Sequence, residues 1–148
     1  MAAMKFTSAY DSSHYKSWSV KLGQKNKLDP GYIPFLTQIA LAKGLKNKLE
    51  IDVEVALLVY EDALSIDRAR SIRANRTRPL LKTYGITAGL AKIVFGNHKK
   101  KIGWGRLAEF DLLDYSFEKI ILDYPEEFQH LDDFDELKYI CKSRLQNN

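Results

Sequence analysis

Hydrophobic residues recur at helical spacing along most of the chain after residue 30. Phe35, Ile39, Ala42 and Leu49 follow Pro34 at such spacing, and they predict a helix over 34–48. The clearest pattern predicts a helix over 133–146. It begins with a capping-box-like Asp133 and Glu136 and continues with an apolar stripe of Phe134, Leu137, Ile140, Cys141 and Leu145.

The segment 49–60 fits two kinds of secondary structure. Its apolar residues alternate with acidic ones, which is typical of a strand, but Ile51, Val55 and Leu58 also fit a helix that Asp52 would cap. No second alternating segment is present to pair with a strand, and a lone strand leaves its backbone polar groups unsatisfied. The sequence therefore favours a helix over 52–64.

Capping residues and helix breakers divide the rest of the chain. Arg78-Pro79 interrupts the helical pattern, because the residue before a proline is disfavoured in the α region. The predicted caps and ends are Ser65, Gly85, Thr87, Gly96, Ser116 and Pro125, and the predicted helices are 66–76, 79–84, 88–95, 104–113 and 117–124.

Together these segments predict an all-α protein, a compact single domain of seven or eight short helices over 29–148. Residues 1–28 are polar and predict an N-terminal arm or a short docked helix, since Tyr15, Trp18 and Leu22 would align on one helical face. Apolar residues make up 45% of the chain and charged residues 28%, as in ordinary soluble proteins.

Cysteine content and hydropathy indicate the cellular compartment of such a protein. The single cysteine, Cys141, excludes an internal disulfide, and its place on an apolar stripe predicts a core residue. No apolar run approaches the roughly 20 residues that span a bilayer. We therefore expect a cytoplasmic protein without a membrane partner.

The charges are sorted into blocks along the chain. Residues 66–106 contain eleven Lys/Arg and one acid, Asp67, whereas residues 107–148 contain four Lys/Arg and eleven Asp/Glu. A concentrated basic segment is typical of a polyanion-binding surface. The acidic segment beside it gives a second explanation, in which the two blocks neutralise each other within the fold.

The leading prediction is a non-catalytic protein that binds DNA or RNA through the phosphate backbone, using residues 68–106. Arginine grips phosphate through two parallel hydrogen bonds, and Trp104 is a candidate base-stacking residue. The predicted binding residues are Arg68, Arg70, Arg73, Arg76, Arg78, Lys82, Lys99, Lys100, Lys101, Trp104 and Arg106.

A helix-turn-helix does not explain the basic segment. The predicted helices 79–84 and 88–95 flank a turn at Gly85, but only Thr87 and Lys92 in the second helix could contact DNA. A recognition helix needs several polar side chains in the major groove. We therefore expect backbone-dominated, salt-sensitive binding without sequence-specific readout.

Catalytic and cofactor signatures are weak in this chain. His14, His98 and His130 lie far apart and match no metal-ligand spacing, and the glycines match no nucleotide-binding fingerprint. A nuclease site at Lys48, Glu50, Asp52 and Glu54 would require 49–55 to be a strand. We therefore predict neither an enzyme nor a bound metal or cofactor.

The acidic, aromatic C-terminal third supports the alternative function, a protein-interaction or regulatory module that forms a complex or a homodimer. Tyr115, Tyr124 and Phe128 lie at predicted helix ends, where exposed rings among acids would make a binding patch. This alternative predicts that the arginines pair within the fold with Asp111, Asp114, Asp123 or Glu126.

Overall fold

A computed structural model describes residues 30–65, 76–96, 107–108 and 112–146 of the chain. These ranges contain seven helices, one 3₁₀ turn at Leu113–Tyr115 and no strand, which confirms the predicted all-α class. The helices are α1 (Tyr32–Ala42), α2 (Lys48–Ser65), α3 (Thr77–Tyr84), α4 (Ile86–Gly96), α5 (Phe117–Asp123), α6 (Pro125–Phe128) and α7 (Phe134–Gln146).

Helix α2 runs through the centre of the fold. Every residue from Val53 to Val59 is buried, as are Glu61, Asp62 and Ala63. A helix that is covered on all sides needs apolar residues around its whole circumference, so its sequence shows no single apolar stripe. This burial explains the ambiguous pattern of 49–60, and it confirms the helix over the strand.

Two hydrophobic clusters pack against opposite sides of α2. The larger lies among helices α2 to α7, and its buried members include Val53, Leu57, Leu90, Phe128 and Cys141. The smaller lies between α1 and α2 and extends to Leu107 and Leu112. Burial of Cys141 confirms the core role predicted for it.

Local chemistry sets the ends of α1 and α2. Helix α1 ends at Ala42, six residues earlier than predicted, because Gly44 adopts a φ of 88° that suits glycine after a helix C-terminus. Helix α2 begins four residues earlier than predicted. The Oδ1 of Asn47 accepts hydrogen bonds from the backbone N–H groups of Leu49 and Glu50, so Asn47 rather than Asp52 caps this helix.

Helix α3 begins two residues before the predicted start at Pro79. Thr77 is its first residue, so Pro79 lies in the first turn, where a helix has no intrahelical partner for a backbone N–H. The predicted start at Pro79 is therefore two residues late, and the turn that precedes α3 lies at Arg76 rather than at Arg78-Pro79. The predicted end at Tyr84 is confirmed, with Gly85 following at a φ of 84°.

Helices α3 and α4 form a tight hairpin around Gly85. A Cβ added at Gly89 would lie 2.9 Å from Leu81 Cδ2 and 3.2 Å from Leu81 Cα, so the two helices touch where glycine leaves room. Helix α4 starts at Ile86, immediately after the turn. Thr87 therefore lies inside its first turn and is not the predicted cap.

The C-terminal helices follow the sequence prediction closely. The Oγ of Ser116 accepts a hydrogen bond from the backbone N–H of Lys119, as predicted for a cap. Helix α5 ends at Asp123, and Pro125 opens the short α6. Helix α7 begins directly after Asp133 and ends at Gln146.

Three predicted segments fall wholly or mainly beyond these ranges. The arm 1–28 and residues 66–75 of the predicted helix 66–76 lie outside the described residues. Of the predicted helix 104–113, residues 107 and 108 are helical, whereas Leu112 precedes the 3₁₀ turn. Within the described part of the chain, no helix combines the length and the hydropathy needed to cross a bilayer.

Candidate nucleic-acid interface and the buried arginine cluster

Three of the eleven predicted binding residues lie in the described ranges. Arg76 and Lys82 are exposed, whereas Arg78 is buried. The other predicted binding residues lie outside the described residues; these are Arg68, Arg70, Arg73, Lys99, Lys100, Lys101, Trp104 and Arg106.

Arg78 is a core residue and does not lie on the predicted phosphate-binding surface. It is 4% exposed, and its guanidinium sits between two buried carboxylates of α2. Its Nε and Nη2 donate to Glu61, both at 2.9 Å, and its Nη1 and Nη2 donate to Glu54, both at 3.0 Å. Both contacts are bidentate, so this guanidinium has no surface face to offer a phosphate.

The two glutamates are placed for this contact by helix geometry. Glu54 and Glu61 are seven residues apart, which is close to two helical turns, so they share one face of α2. Burial alone lowers the pKa of Arg78, but hydrogen bonds and attraction from Glu61 and then Glu54 outweigh it and raise the pKa. Arg78 therefore stays charged, as a buried partner of two carboxylates must.

Helix α1 joins the same cluster through a lysine. Lys43 Nζ lies 2.9 Å from Glu54 Oε2, so Glu54 is held by two cations. Burial lowers the pKa of Lys43, although the neighbouring Glu54 partly opposes that effect. At the other end of α1, the hydroxyl of Tyr32 donates to the buried Asp62. Polar contacts with α2 therefore hold helix α1 at both of its ends.

Intrachain pairing of Arg78 therefore exists, but its partners differ from those predicted. They belong to α2, not to the acidic C-terminal third. A second arginine contact, which is half-buried, does use that third. Arg144 donates at 2.7 Å to Glu118 and at 3.0 Å to the backbone carbonyl of Val94, and so joins α7 to α5 and α4.

The α3–α4 hairpin has an exposed surface that is basic and aromatic. Arg76, Lys82 and Lys92 are exposed, and Tyr84 is 49% exposed. Lys92 Nζ lies 4.5 Å from the centroid of the Tyr84 ring. No acidic residue occurs between Asp67 and Glu109 in the sequence, so the charge on this hairpin is entirely positive.

The exposed cations occupy different sides of α3. Residues 76, 80 and 84 are spaced by four, so Arg76 and Tyr84 lie along one row of side chains that turns by about 80° around the helix, with the half-buried Leu80 between them. Lys82 projects from a different side, well away from that row at 100° per residue. We call Arg76, Tyr84 and Lys92 the hairpin stripe.

Sequence reasoning did not include Tyr84 or Lys92 among the binding residues. The available signal was a tyrosine lying within a long stretch that has no acid. Its contact with Lys92 was not predictable from spacing, because the two residues meet across the turn between α3 and α4.

A second exposed surface, on α5 to α7, is acidic. Phe128 is fully buried, which contradicts the expectation that its ring is partly exposed, and the Tyr124 hydroxyl donates to Asp52. Tyr139 projects instead and is 71% exposed. The exposed acids of this surface are Asp123, Glu126, Glu127, Asp132, Asp133, Asp135 and Glu136.

The groups considered for catalysis have other roles in the fold. Glu50, Asp52 and Glu54 lie on a helix, which removes the strand that a nuclease site would need. Burial raises the pKa of the Cys141 thiol to about 12, with Glu118 adding to the effect. Among the described residues, no group of three or more His, Cys, Asp and Glu side chains is placed to hold a metal ion.

No protein family, curated protein or solved structure matches this chain. The chemistry of the exposed surfaces is therefore the basis for assigning a function.

Proposed function

We propose that this protein binds nucleic acid through the exposed surface of the α3–α4 hairpin. The observation that carries this proposal is the hairpin's charge: three exposed cations, Arg76, Lys82 and Lys92, and no acid. A surface of one sign attracts a polyanion and releases its condensed counterions on contact. Arg78 is not part of the surface, because its guanidinium is held in the core.

The hairpin supports backbone contact better than base readout. Five of the eleven residues of α4 are buried, among them Leu90, Ile93 and Val94, and Lys92 is its one charged side chain. A helix that reads the major groove presents several polar side chains to base edges. Binding is therefore backbone-dominated and largely independent of sequence.

The segments that precede and follow the hairpin in the sequence carry further positive charge. Lys99, Lys100, Lys101 and Arg106 follow α4, and Arg68, Arg70 and Arg73 precede α3. Their place in the sequence supports phosphate contacts next to the hairpin, and Trp104 is a further candidate for stacking. The proposal includes cytoplasmic location, which the single, buried cysteine supports.

The proposal is of binding without catalysis. The buried carboxylates of α2 are held by other groups: Glu54 by Arg78 and Lys43, Glu61 by Arg78 and Asp62 by Tyr32. Charges arranged in this way tie helices together, and their chemistry is that of a structural ion-pair cluster.

The test is fluorescence anisotropy with labelled DNA and RNA at about 50 and 200 mM salt. A protein that makes six or more phosphate contacts should lose roughly 10³-fold or more in affinity between these salts. The variants Arg76→Glu and Lys92→Glu should weaken binding to all sequences alike. Lys46→Glu and Lys142→Glu are matched controls, since each makes the same charge change at an exposed site outside the hairpin.

Two results would contradict the proposal. Absence of binding at the lower salt would show that the hairpin is not a polyanion-binding surface. Equal losses from the hairpin variants and from the Lys46 and Lys142 controls would show that net charge, rather than this surface, governs the affinity.

The acidic surface favours a second candidate function, binding of a basic protein segment. Its exposed acids lie between Asp123 and Glu136, and Tyr139, one helical turn after Glu136, is 71% exposed; exposed tyrosines are common in protein interfaces. A labelled oligolysine peptide tests this candidate. The double variant Glu126→Lys/Glu127→Lys should abolish binding of the peptide, whereas Lys82→Glu should leave it unchanged. A measurement of the molar mass in solution tests whether the protein forms a homodimer.

A further inference from the structure

We infer that Tyr84 and Lys92 form a base-stacking site, which makes single-stranded nucleic acid the preferred ligand. This inference rests on the proposed function and names the ligand class of the same surface. Its basis is an aromatic ring that the fold leaves accessible within a stretch of chain free of acidic residues.

The position of Tyr84 keeps its ring at the surface. It is the last residue of α3, and the chain turns at Gly85, whose φ of 84° reverses the direction into α4. A large aromatic side chain usually gains free energy by burial, yet half of this one is exposed. An exposed ring can stack on the flat face of any base, and such stacking tolerates all sequences.

Lys92 supplies charge at the ring itself. Its Nζ lies 4.5 Å from the Tyr84 ring centroid, within the range of a cation–π contact. This contact restrains two side chains from different helices. Because Lys92 lies over one face of the ring, a base would stack on the opposite face, with its phosphate near a lysine that is already positioned.

Arg76 provides a second anchor along the same stripe. Seven residues lie between it and Tyr84, so the two are separated by a helical rise of roughly 12 Å. A flexible strand can bridge a phosphate at Arg76 and a base at Tyr84. A duplex cannot use Tyr84 in this way, because its bases are already paired and stacked, and unstacking a paired base is unfavourable.

The experiment compares oligothymidine, oligouridine, a DNA duplex and an abasic single strand of equal length, each by anisotropy. The wild-type protein should bind both base-carrying single strands more tightly than the duplex. Tyr84→Leu should weaken single-strand binding by roughly tenfold, within the range for loss of one stacked base, and should leave duplex binding unchanged. Tyr84→Phe should retain wild-type affinity.

The abasic strand separates stacking from charge, since it keeps the phosphates and lacks the bases. Wild type and Tyr84→Leu should bind it equally. Lys82→Ala is the control for charge, because it removes a cation from a different side of α3. It should weaken binding to every ligand by a similar factor, without a preference for base-carrying strands.

The outcomes distinguish this inference from the proposed function. If Tyr84→Leu binds oligothymidine as wild type does, while binding stays salt-sensitive and dependent on Arg76, stacking is wrong and the backbone-binding function stands. If the wild-type protein binds none of the four ligands, both fail. Equal affinity for duplex and single strand would also overturn the inference.

Discussion

Arg78 donates two parallel hydrogen bonds to Glu61, from Nε and from Nη2, each at 2.9 Å. This contact joins the first turn of α3 to the last third of α2, deep in the protein. A charged pair in the core costs free energy to desolvate, so its geometry has to be good on both sides. Arg78 is therefore a structural residue, whereas the exposed Arg76 and Lys82 near it in the chain are accessible to a ligand.

Replacing Arg78 should destabilise the protein strongly. Arg78→Ala removes the cation that both Glu54 and Glu61 contact, and breaking a buried ion pair in this way costs roughly 3–5 kcal/mol. Urea unfolding monitored by circular dichroism measures the loss. Arg76→Ala, two residues earlier and exposed, should change the free energy of unfolding by no more than about 0.5 kcal/mol. Similar losses for both variants would contradict the assigned roles.

Gly89→Ala should loosen the α3–α4 hairpin. The added methyl group would lie 3.2 Å from Leu81 Cα, which cannot move without shifting the backbone of α3. Overpacking of this kind typically costs about 1–3 kcal/mol. Gly96→Ala is the matched control, since nothing lies within 4 Å of a Cβ built there. Chemical denaturation of the two variants checks the prediction, which fails if Gly89→Ala is as stable as the wild type.

Ser116→Ala should weaken the start of α5. The variant loses the hydroxyl that accepts the Lys119 N–H, and loss of an N-cap side chain typically costs about 1 kcal/mol. Ser143→Ala removes a hydroxyl from the last turn of α7, where alanine has the higher helix propensity, and should not destabilise the protein. Thermal melts of both variants distinguish the cap from a general effect of serine loss.

The buried thiol should make stability fall at high pH. The folded state raises the pKa of Cys141 to about 12, whereas an unfolded chain has an ordinary value of about 8.5. Between these values the unfolded chain loses its thiol proton first, so the free energy of unfolding declines by at most about 1.4 kcal/mol per pH unit. Below about pH 8.5 the thiol is protonated in both states, so the protein keeps its full stability with respect to this group.

Cys141→Ala isolates this effect, since the other titrating groups are common to both proteins. Urea unfolding gives the free energy of unfolding of the wild type minus that of Cys141→Ala. This difference should be smaller at pH 10 than at pH 7.5. A constant difference between the two pH values would mean that the thiol titrates alike in the folded and unfolded chains.

Much of the helical architecture follows from local sequence. The stripe from Phe134 to Leu145 and the cap at Ser116 defined α7 and α5 nearly to the residue, because each signal depends on nearest neighbours along one helix. The core position of Cys141 followed from the same stripe. The all-α class was predictable because no two segments alternate in a way that could pair as strands.

Only the tertiary structure separated the charges of the basic segment by role. Arg76 and Arg78 are two residues apart and identical in type, yet one is exposed and the other contacts two glutamates that precede it by 24 and 17 residues. Spacing along the chain carries no information about such partners, since they depend on how α3 packs on α2. The sequence by itself determined helix content and the sorting of charge into blocks. The packing of α3 on α2 decided which arginine is buried. A guanidinium is stable in the core only with carboxylate partners, and Glu54 and Glu61 supply them to Arg78.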